Sequence, residues 1–309
     1  MTTLYITHPA CRLHDMGAWH PECPARLDAI DDQLLMSGVS QILHADQAPA
    51  ASDADLLRVH TAEHLHHLRQ HSPESDTFAL DADTVMNPHT LAAARVAAGA
   101  GIHAVDTVMG GRHKTAFCSV RPPGHHATPR QAMGFCFFNN IAVAAAYALD
   151  VHGLARVAII DFDVHHGNGT EDAFAGDSRV MMCGFYQYPL YPGTRHDPAA
   201  PNMINVPVSA GTSGPELRKI VTDTWMPALY AFRPQMVFIS AGFDAHREDE
   251  LGELNMVEDD YAWITGQLVA LAEQTAAGRI VSMLEGGYNL SALGRSVVAH
   301  IKALSKVVE

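Results

Sequence analysis

Several protein classes are excluded by what this chain lacks. No uncharged apolar run approaches the ~18 residues of a membrane span, so no membrane partner is expected. The segment from Met1 to Cys11 has no basic start followed by a long apolar run, and no signal peptide is read there. Cysteine is scarce and odd in number. Cys11, Cys23, Cys118, Cys136 and Cys183 form no CxxC pair and no disulfide framework, which predicts a reduced, cytoplasmic protein with Cys136 as a buried structural thiol. Basic residues are outnumbered, 20 Lys and Arg against 34 Asp and Glu. The formal charge of −14 argues against direct nucleic-acid binding and suits cationic substrates. Internal repeats, low-complexity tracts and linkers are missing as well. With 48% hydrophobic and only 17% charged residues, the 309-residue chain can bury a sizeable core, and residues 1–309 are read as one domain. The one excess is histidine, at twenty. Most are expected to be scattered surface or helix residues, as in His64, His66 and His67. The informative ones are those that cluster with carboxylates.

Short apolar runs alternate with longer helical stretches. Strands are predicted at 4–7, 42–44, 116–120, 157–160, 180–183, 204–206, 236–240 and 280–284, and helices at 24–36, 91–108, 141–151, 215–231, 259–276 and 290–304. Ser213 and Asn289 are read as helix caps. Several strands are continuously apolar, as suits strands buried on both faces of a parallel sheet. The alternation predicts an α/β fold with a central, mostly parallel sheet of about eight strands and helices on both faces. Such sheets bind ligands beyond the carboxyl ends of their strands, and the unusual residues lie there.

The strand at 157–160 runs straight into Asp161, Asp163 and His165. Their i, i+2, i+4 spacing puts three side chains on one face of an extended chain. Converging carboxylates and imidazole are costly to bury unless a cation or partners neutralise them. The strand at 236–240 likewise ends in Ala241, Gly242, Phe243 and Asp244, where Gly242 is expected to allow a tight turn. Asp163, His165 and Asp244 make a three-ligand set with a position left open, the way catalytic zinc is commonly held, although Fe²⁺ and Co²⁺ suit the same donors. His246 is a fourth candidate by spacing, with a solvated loop histidine as the favoured alternative. After the strand at 116–120, a Pro122-Pro123-Gly124 turn presents His125 and His126. After the strand at 280–284, Gly286 and Gly287 deliver Tyr288, whose hydroxyl could donate to a developing oxyanion.

Together these segments resemble the histone deacetylase family, in particular its class II-like bacterial amidohydrolases of the arginase/deacetylase fold. The resemblance begins at His20-Pro21-Glu22, runs through 121–127, 134–140, 161–169, 191–194 and 240–244, and ends at 285–288. It implies zinc on Asp163, His165 and Asp244, and His126 as the general base that later protonates the amine. It implies His125, paired with Asp161, as electrostatic partner, and Tyr288 as the clamp on the carbonyl oxygen. Gly134, Phe135 and Tyr191 would line a narrow channel, and Arg26 would lie near an internal pocket where acetate leaves. Structural K⁺ or Na⁺ sites are also implied, one from backbone carbonyls around Asp161, Asp163 and His165, a second from the turn between Phe174 and Val180.

The chain departs from the family pattern at a few positions. Asn168 stands where class I members have an acid orienting the base, as class II relatives commonly do, and is expected to leave His126 less basic. Tyr191 replaces the commoner Phe, Arg195 a usual glycine, and Gly184 a serine that helps hold the first monovalent ion. Leu251 aligns with the position where acetylpolyamine-specific relatives carry an acidic gatekeeper, with Glu250 and Glu253 close by. The expected activity is removal of acetyl or other acyl groups from lysine side chains or related amines. Acetylpolyamine hydrolysis is the alternative, and a catalytically silent metal-binding module the non-enzyme alternative. The expected partner is an acylated lysine peptide or small acyl-amine. Oligomeric state is left open, a homo-oligomer included.

Overall fold

The computed structural model describes residues 3–193 and 199–307. Arg195, singled out above as standing where a glycine is usual, lies outside the described residues. In chain order the elements begin with β1 (Leu4–Thr7), α1 (Ala25–Met36), β2 (His44–Gln47), α2 (Asp53–Leu56), α3 (Ala62–Gln70), β3 (Phe78–Ala79), β4 (Val85–Met86) and α4 (Thr90–Met109). They continue with β5 (Thr115–Cys118), α5 (Asn140–Asp150), β6 (Val157–Asp161), α6 (Asn168–Phe174), β7 (Val180–Gln187) and β8 (Met203–Val208). The last are α7 (Gly214–Ile220), α8 (Met226–Phe232), β9 (Val237–Ala241), α9 (Glu258–Thr275), β10 (Ile280–Leu284) and α10 (Leu290–Ser305). One α-helix was expected over 215–231; a single wider turn at Val221–Trp225 joins α7 to α8 within it.

Eight strands form one sheet in the order β2-β1-β5-β10-β9-β6-β7-β8. Every pairing in it is parallel, so "mostly parallel" becomes wholly parallel for this sheet; β3 and β4 pair separately as an antiparallel hairpin. The topology matters for the site. The chain builds outward to both edges first, and the late strands β9 and β10 then fill the gap between β5 and β6. The loops leaving β5, β6, β9 and β10 therefore emerge side by side from one end of the sheet.

Helices cover both faces, and the alternation of β10 shows it. Met283 points to one face, where its sulfur would crowd any Cβ on Gly101 of α4, beside Ala144 of α5. Ser282 points to the other, where its hydroxyl meets His300 of α10 at 2.9 Å. The central strands β5, β6, β9 and β10 are buried throughout, which is why their sequences are mainly apolar without regular alternation. Both caps read from sequence are present: Glu216 accepts from the Ser213 amide at 2.8 Å, and Asn289 accepts from the Ala292 amide at 3.0 Å. The edge strand β2 starts two residues later than expected, because Val39–Ile42 turns as a short 3₁₀ helix first. Among the described residues no helix is long and apolar enough to cross a membrane.

His300 is buried and held neutral. The Thr265 hydroxyl donates to the Tyr261 carbonyl at 2.6 Å, so it accepts from His300 Nδ1 at 2.7 Å, which leaves Nε2 to accept from Ser282. Burial alone pushes the His300 pKa down to about 3. The unfolded chain takes up this proton below its ordinary value of 6.5, whereas the folded chain resists it down to about 3, so stability is lost as pH falls through that window. The loss is about 1.4 kcal/mol per pH unit for one such group. His60, lowered to about 3 mainly by burial, acts with the same sign. His300→Asn is expected to melt lower than the parent at pH 7.5 but to lose less Tm between pH 7 and pH 5, where exposed carboxylates are still charged and the raised buried ones titrate alike in both proteins. Parallel Tm-versus-pH curves would refute the neutral buried histidine.

Candidate active site

Asp161 is the last residue of β6; beyond it the chain bends over residues 163–165 rather than staying extended, and side chain to backbone hydrogen bonds hold Asp163 and His165 together. Each carboxylate is anchored by backbone. Asp161 Oδ1 accepts from the Asp163 amide (3.1 Å), Asp163 Oδ1 from the His165 amide (2.9 Å), and Asp163 Oδ2 from Gly286 (2.9 Å). From the neighbouring loop, Asp244 Oδ1 accepts from the Val164 amide at 2.9 Å. His165 Nδ1 then sits 3.0 Å from Asp163 Oδ1 and 3.1 Å from Asp244 Oδ2. One donor atom from each of Asp163, His165 and Asp244 lies within 4.8 Å of the others, and all three residues are buried.

Two glycines make this convergence sterically allowed. A Cβ on Gly242 would overlap the Asp163 carboxylate, and one on Gly286 would overlap that of Asp244. Gly242 was expected to serve a tight turn; what it supplies is the missing side chain, since its backbone has no left-handed φ. Gly134 is different. At φ +56 it is left-handed, and a Cβ there would meet His126 Cδ2 at 2.5 Å. Phe135 follows at φ +68, a conformation a bulky residue seldom adopts, and its ring stands edge-on to Tyr288 (5.9 Å) and His20 (4.6 Å).

Electrostatically the cluster is short of positive charge. Burial disfavours charge on Asp163, yet His125 and His165 hold its carboxyl far below the usual range. Burial and the nearby Asp163 charge push Asp244 up to about 7. Burial works against a charged His165, but its hydrogen bonds to Asp163 and Asp244 win and raise it to about 10. A proton on His165 Nδ1 thus stands where the two carboxylates converge, the place a divalent cation would take. An Asp, His, Asp donor set with this spacing fits such an ion.

The two histidines from the β5 loop are split in role by their partners. His125 Nδ1 lies 3.0 Å from Asp161 Oδ2. Burial opposes charge there, but Asp163 and Asp161 outweigh it, and His125 is raised well above its ordinary value. His126 Nδ1 donates to Asn168 Oδ1 at 2.8 Å. Burial, reinforced by His125 and His165, holds His126 well below its ordinary value and therefore neutral. The two rings are 4.0 Å apart.

These groups sit at the base of a cavity of about 250 Å³. His126, His165 and Tyr288 reach it, Gly134, Phe135, Leu190, Tyr191 and Leu251 wall it, and Asp83 adds an acid. Burial and the Asp244 charge raise the Tyr288 phenol well above its ordinary value, so it keeps its proton. All the channel residues named from sequence therefore meet in one place. Arg26 lies behind Tyr288, its guanidinium 5.0 Å from the ring centre and fully buried, donating to Glu22 and to the Gly287 and Glu285 carbonyls.

Other expectations need correction. His246 is neither a ligand nor solvated: it is 1% exposed, with Nε2 3.6 Å from Glu258, outside the Asp163, His165 and Asp244 cluster. His64 lies on α3 as expected but is buried, bonded to the Phe137 carbonyl at 2.8 Å. At the first monovalent site, the space a Gly184 side chain would fill is flanked by Asn205 Oδ1 at 2.8 Å and the Asp161 carbonyl at 3.2 Å. Asn205 Oδ1 is buried with no hydrogen-bond partner, an oxygen in the region of the missing serine. Sequence reasoning passed over Glu285, which accepts from the Gly124 (2.7 Å) and His125 (3.0 Å) amides and so holds the histidine turn. A glutamate directly after a fully buried, mainly apolar strand was the available signal. Asp249 was missed too, with no comparable signal.

Comparison with known proteins agrees with this geometry. The histone deacetylase domain family matches residues 20–304. A histone deacetylase-like amidohydrolase of Pseudomonas aeruginosa is 37% identical, over 94% of this chain and 78% of its own. Histone deacetylase 14, chloroplastic, of Arabidopsis thaliana is 36% identical, over 92% and 73%. The crystal structure of the HDA15 HD domain superposes with a TM-score of 0.92 at 35% identity, covering 98% of this chain and 88% of that one. The eight-stranded parallel sheet, the buried Asp-His-Asp cluster at its carboxyl end and these matches lead to one conclusion: the chain belongs to the histone deacetylase family.

Proposed function

We propose that this protein is a zinc-dependent amidohydrolase that removes acetyl or other short acyl groups from lysine side chains or related amines. The observation that carries the reading is the meeting, in one narrow cavity, of the Asp163, His165 and Asp244 cluster with a neutral His126 and a protonated Tyr288. The cavity walls are largely apolar, which suits an aliphatic stem with its amide at the base.

Asp163, His165 and Asp244 would hold the metal, which when bound supplies Lewis acidity to the carbonyl and to water. The protein's own groups do the rest. His126 accepts the proton of the attacking water and returns it to the amine nitrogen as the carbon–nitrogen bond breaks, a role suited to a neutral imidazole. Tyr288 donates a hydrogen bond to the carbonyl oxygen as charge develops on it. His125, cationic against Asp161, stabilises the same negative charge. Asn168 fixes the His126 tautomer so that Nε2 faces the cavity. The unpartnered Asn205 Oδ1 beside the Asp161 carbonyl supports a structural K⁺ or Na⁺ under this loop. The reading includes a cytoplasmic location.

Acetylpolyamine hydrolysis is the second reading, and Asp83 favours it: the cavity has a carboxylate in its wall that could meet a second ammonium. Leu251 in the opposite sense offers that ammonium nothing.

Three outcomes are expected. Turnover of a fluorogenic acetyl-lysine peptide should vanish on chelation and return with Zn²⁺; turnover indifferent to chelators would sink the metal reading. Tyr288→Phe should lower kcat by about 10²–10³-fold, the usual cost of one oxyanion donor, with KM little changed. Acetyl-lysine peptide should show the higher kcat/KM against N-acetylputrescine, and the reverse order would transfer the assignment to polyamines.

A further inference from the structure

Tyr288 acts through its hydroxyl, yet its position is decided by backbone. It follows Gly286 and Gly287, the second with φ +118, so the segment has little intrinsic preference for one conformation. Something outside must hold it. On one side Arg26 binds the Glu285 and Gly287 carbonyls. On the other, a single carboxylate, Asp249, takes the amides. Asp249 Oδ2 accepts from Tyr288 N at 2.6 Å and from Asn289 N at 2.9 Å, at the start of α10. Its Oδ1 accepts from Leu251 N at 3.0 Å. Asp249 is 6% exposed and does not line the cavity.

One buried carboxylate therefore ties together two cavity walls that come from different loops: Leu251, after β9, and Tyr288, after β10. Both the reach of the Tyr288 hydroxyl and the width of the channel beside it depend on the same three hydrogen bonds. Carboxylate chemistry is required there. Three N–H groups point at two oxygens, and an amide in the same place would turn an NH₂ group toward either Leu251 N–H or the Tyr288 and Asn289 pair.

We propose that Asp249 is a positioning residue for the deacylation reaction, setting Tyr288 and Leu251 against each other across the channel. This rests on the reading of Tyr288 given above. It predicts that loss of the carboxylate damages catalysis through Tyr288 rather than through folding or substrate binding.

The test is a double-mutant cycle on the metal-reconstituted full chain, with kcat, KM, metal content and Tm measured for Asp249→Asn, Tyr288→Phe and the pair. Asp249→Asn should lower kcat by about 10- to 100-fold, the scale of a misplacement near 1 Å, with KM within about threefold. In the Tyr288→Phe background the same change should cost less than about threefold, because the group being positioned is gone. Equal losses in both backgrounds, or a kcat loss that follows falling metal content or Tm, would overturn the proposal. Asp249→Ser, which keeps one acceptor without adding an amide donor, is run alongside and should show the same non-additivity should Asp249→Asn melt too low to assay. Tyr288→Phe with parental kcat would overturn the reading of Tyr288 itself; a normal Tyr288→Phe loss with additive Asp249 effects overturns this proposal alone.

Discussion

The structure is organised around negative charge buried at the middle of a sheet. Asp161, Asp163, Asp244 and Glu285 all lie at the ends of adjacent parallel strands, and none is more than slightly exposed. Carboxylates so placed repel one another and lose solvation, a cost borne only where positive charge and hydrogen bonds offset it. The surroundings supply both in quantity. Backbone amides point at each carboxylate, His125 is driven cationic, and His165 carries a proton between Asp163 and Asp244. A divalent cation held by Asp163, His165 and Asp244 would complete the neutralisation, which would make it as much a part of the folded core as of the chemistry.

The same charge logic extends outward in layers. Behind the site Glu22 is fully buried between Arg26 and Arg121, and Arg121 also binds the Cys11 and His14 carbonyls. That knot fixes the segment entering α1 against the strand exits. Glu285 holds the histidine turn, Asp249 the tyrosine turn, and Arg26 the carbonyls between them. Glycine-containing loops at the strand ends would otherwise be among the least determined parts of the chain. Here each is held by a charged side chain bonded to backbone, which positions it without adding a group to the channel.

How much of this the sequence disclosed follows from where each signal resides. The central strands were legible because burial on both faces leaves mainly apolar runs such as residues 157–160, and the candidate metal ligands Asp163 and His165 because they crowd one strand end beside Asp161. His125, His126 and Tyr288 were legible through resemblance more than through spacing, since a Pro-Pro-Gly or Gly-Gly turn alone fits many loops. What stayed hidden depends on tertiary contact. The edge strand β2 shifted because a 3₁₀ turn consumed its first residues. His64 and His246 looked like solvated loop or helix residues and are buried, a matter of which face meets Phe137 or Glu258. Asp249 sits among Glu248, Glu250 and Glu253 in an acidic run that reads as surface, and only the fold selects the one that turns inward.

Asn168 shows how the charge constraint reaches the proposed base, His126. His126 lies between His125 and His165, both of which carry or attract positive charge, and burial adds to the pressure against its protonation. A carboxylate partner would counter that pressure and add another anion to a centre already crowded with them. A neutral amide does neither: it accepts from Nδ1, fixes the tautomer and leaves Nε2 free. On the proposed mechanism, a base kept unprotonated by these neighbours would hold the proton it gains only weakly and would pass it readily to the amine. In this site the tuning of the base and the stability of the carboxylate cluster are the same electrostatic balance, viewed from its positive and its negative side.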